Sequence, residues 1–158
     1  MANLFRNVDG SPSDPVDTWP YEGMVSVIER GNIRDWAPLI YFIRRDPWGR
    51  VARNLEIFLG YTSIEDVRVF FRLVLDDARE RAEASERKHV QEIVEASWRR
   101  SGLSRQSFAR AIGTSPSRLS TYFSGSVIPS AAMVVRMQRV ADHYQARASR
   151  GSEGAALG

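Results

Sequence analysis

Arginine is where this sequence concentrates its chemistry. Residues 96–150 carry nine arginines, at positions 99, 100, 105, 110, 118, 136, 139, 147 and 150, against one acid, Asp142, for a balance of 9 − 1 = +8. A guanidinium is always charged and offers a planar fork of N–H donors, so such a set suits a polyanion. Residues 1–95 hold the other 13 basic residues and 17 acids, or −4, and Glu153 completes the total of +3. A basic part beside an acidic one implies that only the C-terminal part meets a polyanion such as nucleic acid.

Groups able to do catalysis are sparse. His89 and His143 are the only histidines, and neither has a cysteine or a metal-ligand spacing around it. Asp76 and Asp77 are adjacent, and neighbours on a helix point about 100° apart. They read as a solvated acidic face rather than a general acid and base. Gly49 and Gly60 are isolated, so no phosphate-binding glycine loop occurs. With no cysteine, disulfides, thiolate chemistry and cysteine zinc sites are excluded. The expectation is a protein that is not an enzyme, with no cofactor, no metal site and no catalytic residue. The stretch Arg44-Arg45-Asp46-Pro47-Trp48-Gly49-Arg50 reads as a helix-to-helix turn with basic flanks, or as a second phosphate-binding patch or partner site.

The elements that must position these side chains read as all-α. The 158 residues allow one ordinary domain or two small ones, and a hydrophobic content of 43% is enough for a packed core. Residues 1–18 read as a flexible arm. Apolar spacing predicts helices over 20–30, over 35–45 with Asp35 as cap and Pro38 in the first turn, and over 47–59 closed by Gly60. A further helix opens at the capping-box-like Ser63-Ile64-Glu65-Asp66. No Gly or Pro interrupts residues 63–101, but apolar residues run out near Glu83 to Lys88, and a break between two helices is expected there. This organises the chain into an acidic helical interaction or dimerisation domain at 19–85, a DNA-binding domain at 86–145 and a disordered tail at 146–158. The start of the chain lacks the apolar core of a signal peptide, and no apolar run approaches the roughly 20 residues that span a bilayer. No membrane association is expected. Lys88 is the only lysine, and arginine bias with many alanines is typical of GC-rich bacterial genomes. A bacterial cytoplasmic location is expected.

Residues 102–125 read as two short helices and a tight turn. Ser104 caps the first, whose apolar face is Leu103, Phe108, Ala109 and Ile112. Gly113 closes it. Ser115 caps the second, Pro116 takes its first position, Leu119, Tyr122 and Phe123 are its apolar side, and Gly125 ends it. Helices this short need supporting helices.

This stretch resembles the helix-turn-helix of the lambda-repressor-like DNA-binding domains, the Cro/C1 or XRE group. Ala109 takes the small position where the two helices touch, Leu119 the buried anchor, and Pro129-Ser130 leads into another helix bearing Met133, Val134, Met137, Val140 and Ala141. The resemblance covers roughly residues 88–145 and implies a five-helix-type domain. One departure is that Ser126, Val127 and Ile128 carry no base where the family often has them. The resemblance implies a sequence-specific transcriptional regulator, a repressor, that binds a double-stranded operator, usually as a homodimer, and so is nucleoid-associated when bound. It places Pro116, Ser117 and Thr121 nearest base edges, with Ser115, Arg118 and Ser120 beside them and Arg105 and Gln106 at a phosphate. An alternative is an antitoxin whose N-terminal domain blocks a toxin or another regulator while the C-terminal domain represses its own operon. The N-terminal aromatics Trp19, Tyr21, Trp36, Tyr41, Phe42, Trp48, Phe58, Tyr61, Phe70 and Phe71 exceed what so small a bundle buries, which points to an exposed apolar patch.

Overall fold

The computed structural model describes residues 3–156, and among these the chain is all-helical, with seven α-helices, one 3₁₀ turn and no strand. It divides into two compact units, Met1–Glu83 and Ala84–Gly158, each with its own hydrophobic core.

The first unit contains the 3₁₀ turn Val16–Thr18, α1 (Tyr21–Arg30), α2 (Ile33–Arg45), α3 (Arg50–Tyr61) and the first half of α4 (Glu65–Ser101). Val27, Ile28, Leu39, Ile43, Leu55, Phe58, Phe71 and Leu75 are fully buried in its core. The segment expected to be a flexible arm is packed instead over its described residues. Phe5, Val16 and Trp19 are buried, and the Phe5 and Trp19 rings meet edge-on at 5.7 Å. The Trp19 indole N–H donates to the Asp14 carbonyl at 2.9 Å. Polar and turn-forming residues hid Phe5, which anchors the segment on Trp19. Met1 and Ala2 of that segment lie outside the described residues.

Helix α2 starts two residues earlier than expected, because its cap is Asn32 rather than Asp35. The Asn32 side chain accepts from the Arg34 N–H at 2.9 Å, and the Asp35 carboxylate accepts from the Asn32 N–H at 2.8 Å. This reciprocal pair satisfies two donors that the helix start would otherwise leave open. Pro38 consequently sits in the second turn, on an exposed position. Helix α3 starts at Arg50 rather than 47 and runs through Gly60 to Tyr61. A glycine is tolerated inside a helix, and the stop comes from the extended backbone of Thr62.

No break occurs between Glu83 and Lys88, where α4 is continuous. Ala82, Glu83, Ala84, Glu86, Arg87 and Lys88 are strong helix formers. The apolar stripe lapses there because packing changes from one core to the other. The backbone has no reason to leave the helix.

The second unit comprises the rest of α4, α5 (Arg105–Ala111), α6 (Pro116–Ser124) and α7 (Ala131–Ala156). Val94, Phe108, Ala109, Ile112, Leu119, Tyr122 and Met137 form its buried core. The expected five-helix-type domain is built from four helical segments, since everything after Pro129-Ser130 stays in one helix. The tail expected to be disordered from residue 146 is helical to Ala156, beyond which Leu157 and Gly158 lie outside the described residues. Its alanines sustain a solvated helix that the glycines at 151 and 154 do not stop.

The stretch 44–50 is a helix-to-helix turn. Arg79, reaching from α4, donates to the Pro47 carbonyl at 3.2 Å and lies 4.8 Å over the Trp48 ring. Its guanidinium also takes both Glu56 carboxylate oxygens, at 2.9 and 3.1 Å. That bidentate pair holds the Glu56 carboxyl below its ordinary range.

Candidate nucleic-acid interface

Two short helices are fixed here by their ends. The Ser104 hydroxyl accepts from the Ser107 N–H at 3.1 Å and opens α5. At its far end Gly113 has φ +75°, the left-handed conformation that costs a side chain but not glycine. The Thr114 N–H then reaches back to the Ala109 carbonyl at 2.9 Å and the Gly113 N–H to the Arg110 carbonyl at 3.1 Å. These two bonds close the helix in a Schellman arrangement and turn the chain sharply. One residue later the Ser115 hydroxyl accepts from the Arg118 N–H at 3.1 Å, and Pro116 starts α6.

The α6 side chains divide cleanly. Leu119 and Tyr122 are buried, whereas Ser115, Pro116, Ser117, Arg118 and Ser120 are exposed and Thr121 is half-exposed. The structure therefore brings six of the eight expected site residues onto one solvent-facing helix start. Arg105 and Gln106 are exposed at the start of α5.

Several of these groups are committed locally. Ser115 is spent as a cap, and its oxygen also lies 3.1 Å from that of Ser117. The Thr121 hydroxyl donates to the Arg118 carbonyl at 2.7 Å, which leaves its lone pairs free to accept from an outside donor. Arg118 spends one N–H on the Tyr122 hydroxyl at 3.3 Å, and its terminal nitrogens bond no group among the described residues. The Arg105 guanidinium lies between two rings, 5.1 Å from Trp98 and 4.5 Å from Phe123. Stacked on aromatic faces and facing no acid among the described residues, it keeps its charge for an external anion.

The other arginines differ in availability. Arg99 is paired with Glu95 at 2.7 Å, and Arg100 is paired with Asp142. Arg136 donates to the Ile112 carbonyl at 3.1 Å and so helps to close α5. Arg110, Arg139, Arg147 and Arg150 pair with no acid among the described residues.

Sequence reasoning missed the supports. Gln91, from α4, donates to the Phe123 carbonyl at 3.1 Å and covers Gly125 at the end of α6. Trp98 donates to the Leu103 carbonyl at 2.8 Å and meets Phe123 edge-on at 5.5 Å. Trp98 is legible in the sequence as the end of an apolar stripe with Val90, Ile93 and Val94. Gln91 had no signal, because its partner lies 32 residues away.

Residues 72–149 match a family of helix-turn-helix domains. The match begins inside α4 and includes the whole two-helix unit. No curated protein and no solved structure matches the chain.

Proposed function

From a chain whose residues 72–149 match a family of helix-turn-helix domains, we propose a sequence-specific transcriptional repressor that reads the DNA major groove through α6. The observation that carries this reading is the exposed start of α6, with Pro116, Ser117, Arg118, Ser120 and Thr121 held on a fixed backbone by buried Leu119 and Tyr122. A helix of this kind fits the major groove, where every base pair shows its own donor and acceptor pattern. Arg118 offers paired donors to guanine, Thr121 accepts from an amino group, and Pro116 gives apolar contact to a thymine methyl. Arg105 and Gln106 hold a backbone phosphate beside them. Few long polar side chains face the bases, so DNA shape carries part of the specificity.

In this reading the protein acts by binding rather than catalysis, in the bacterial cytoplasm, as a pair of copies on a two-fold operator. Selection of bound duplexes from a random pool with the full chain tests it and should yield one enriched motif. Arg118→Ala and Thr121→Ala should each weaken binding to that motif by about 1–3 kcal/mol, roughly 5- to 150-fold, with melting unchanged. No enriched motif, or undiminished binding by both variants, would overturn the reading.

A second reading is an antitoxin whose N-terminal unit occludes a toxin. Exposed Ile57, Tyr61 and Ile64 favour it by giving that unit apolar surface outside its core. Stoichiometric co-purification of one small protein from the native host would separate the two readings.

A further inference from the structure

The apolar arcs of α2 and α4 are wider than their buried sectors, and both overhang onto the same face. Around α2, at about 100° per residue, fully buried Leu39 and Ile43 give way to half-buried Trp36 and Ile40. Ile33, Ala37 and Tyr41 continue the arc into solvent, and Ile33 and Tyr41 are 64% and 62% exposed. Around α4, buried Phe71 and Leu75 give way to half-buried Val74 and Phe70. Leu73 and Val69 follow, 65% and 52% exposed. Trp36 and Phe70 stand at the edges of the two buried sectors, and their rings meet at 5.4 Å. The two overhangs therefore flank one contact and form a single apolar strip across two packed helices.

The charges bordering that strip are sorted by helix. Arg34 and Arg45 border the α2 overhang on its outer side, and Arg44 falls within it at its C-terminal end, with no acid on that side. Arg45 is also held on Tyr41, donating to its hydroxyl at 3.1 Å. On α4, Asp76 borders the overhang, Asp66 and Glu80 stand at its two ends, Asp77 holds Arg81 at 2.9 Å, and Arg72, next around the helix, turns to Glu56 at 3.8 Å. A strip that is basic along one edge and acidic along the other complements itself under a two-fold rotation. Such a rotation lays α2 of one copy on α4 of the partner, burying the apolar residues and setting arginines against carboxylates.

We infer that the α2–α4 face is the homodimer interface of this protein, and that its occupant is a second copy of the same chain. The inference rests on the pairing of copies proposed above and names the surface that does it. The facing stretches, α2 and residues 66–80 of α4, are each roughly 20 Å long and about 10 Å apart, and so offer about 400 Å² per copy, which is below the size of a stable complex, so association without DNA is weak, in the upper micromolar range.

Sedimentation equilibrium of the full chain without DNA, from about 5 to about 200 µM, tests this. The expected species at the upper end has twice the 17.9 kDa chain mass. Leu73→Asp and Ile33→Asp should each weaken the dimer at least about tenfold, with circular dichroism unchanged because both positions are exposed. Arg44→Glu with Arg45→Glu should also dissociate it, and adding Asp66→Arg with Glu80→Arg should restore it. A monomer throughout the range overturns both the interface and the pairing of copies. A dimer indifferent to Leu73→Asp, or not restored by the second charge reversal, overturns the interface alone. DNA reading fails separately, through the Arg118 and Thr121 variants, whose mass is unaffected.

Discussion

Ala109 is fully buried where α5 meets the rest of its core, so three more carbons there have to displace neighbours. Ala109→Leu should cost about 1–3 kcal/mol by overpacking, read as a lowered midpoint in urea with an unchanged slope. Gly125 is constrained twice. Its φ is +75°, and a Cβ there would lie 2.5 Å from Gln91 Nε2. Gly125→Ala should therefore cost about 1–2 kcal/mol for the left-handed backbone, plus the displaced Gln91 bond to Phe123. In a Gln91→Ala background the same substitution should cost less, and equal costs in the two backgrounds would show that the contact is immaterial. Ala109, Gly113, Ser115, Leu119 and Gly125 were legible in the sequence, because caps, left-handed glycines and a helical apolar period are local rules. Gln91 was not. It acts across a sequence distance that no local pattern reports.

At the scale of elements, continuity of α4 was the least legible feature. A lapse in the apolar stripe looks like a helix end, yet only a breaker or a cap ends a helix. Ala84→Pro would supply the breaker, and the expected loss is about 3 kcal/mol together with helical ellipticity. The α3–α4 contact makes a second prediction. Arg79 lowers the Glu56 carboxyl below its ordinary value near 4.5, chiefly through the bidentate hydrogen bond. A carboxyl depressed in the folded state stabilises above its unfolded value, and that contribution is lost as pH falls through the folded one. Thermal melts from pH 6 to pH 3 should therefore show an acid-side decline that Glu56→Gln flattens. Glu56 is 43% exposed, so the effect is modest. The turn at 44–50 carries this contact and shows why the stretch was ambiguous. Its arginine-rich flanks are visible in sequence, but the Arg79 that anchors it comes from another helix.

On the scale of the whole molecule, the charge asymmetry between the two halves was readable before any fold was known, and the helix-turn-helix match falls mostly in the basic half. The N-terminal core was less legible. Phe5 and Trp19 turned an apparent arm into packing, and the apolar overhang of α2 and α4 emerged only once burial separated core positions from exposed ones. What sequence counting overstates is the charge available to DNA. Of the nine arginines in residues 96–150, Arg99 and Arg100 face carboxylates and Arg136 faces a carbonyl, leaving Arg105, Arg110, Arg118, Arg139, Arg147 and Arg150. Each phosphate neutralised by a protein cation releases about 0.9 of a condensed counterion. With Arg87 and Lys88 of the same unit, which pair with no acid among the described residues, eight free cations set a ceiling near −7 for the slope of log affinity against log salt per bound copy, where all eleven would allow about −10. Titrations across salt concentration should stay within that ceiling, so that doubling the ionic strength weakens each copy's hold by at most about 150-fold. Internal pairing of arginines thus sets how sharply this protein leaves DNA when the ionic strength of its surroundings rises.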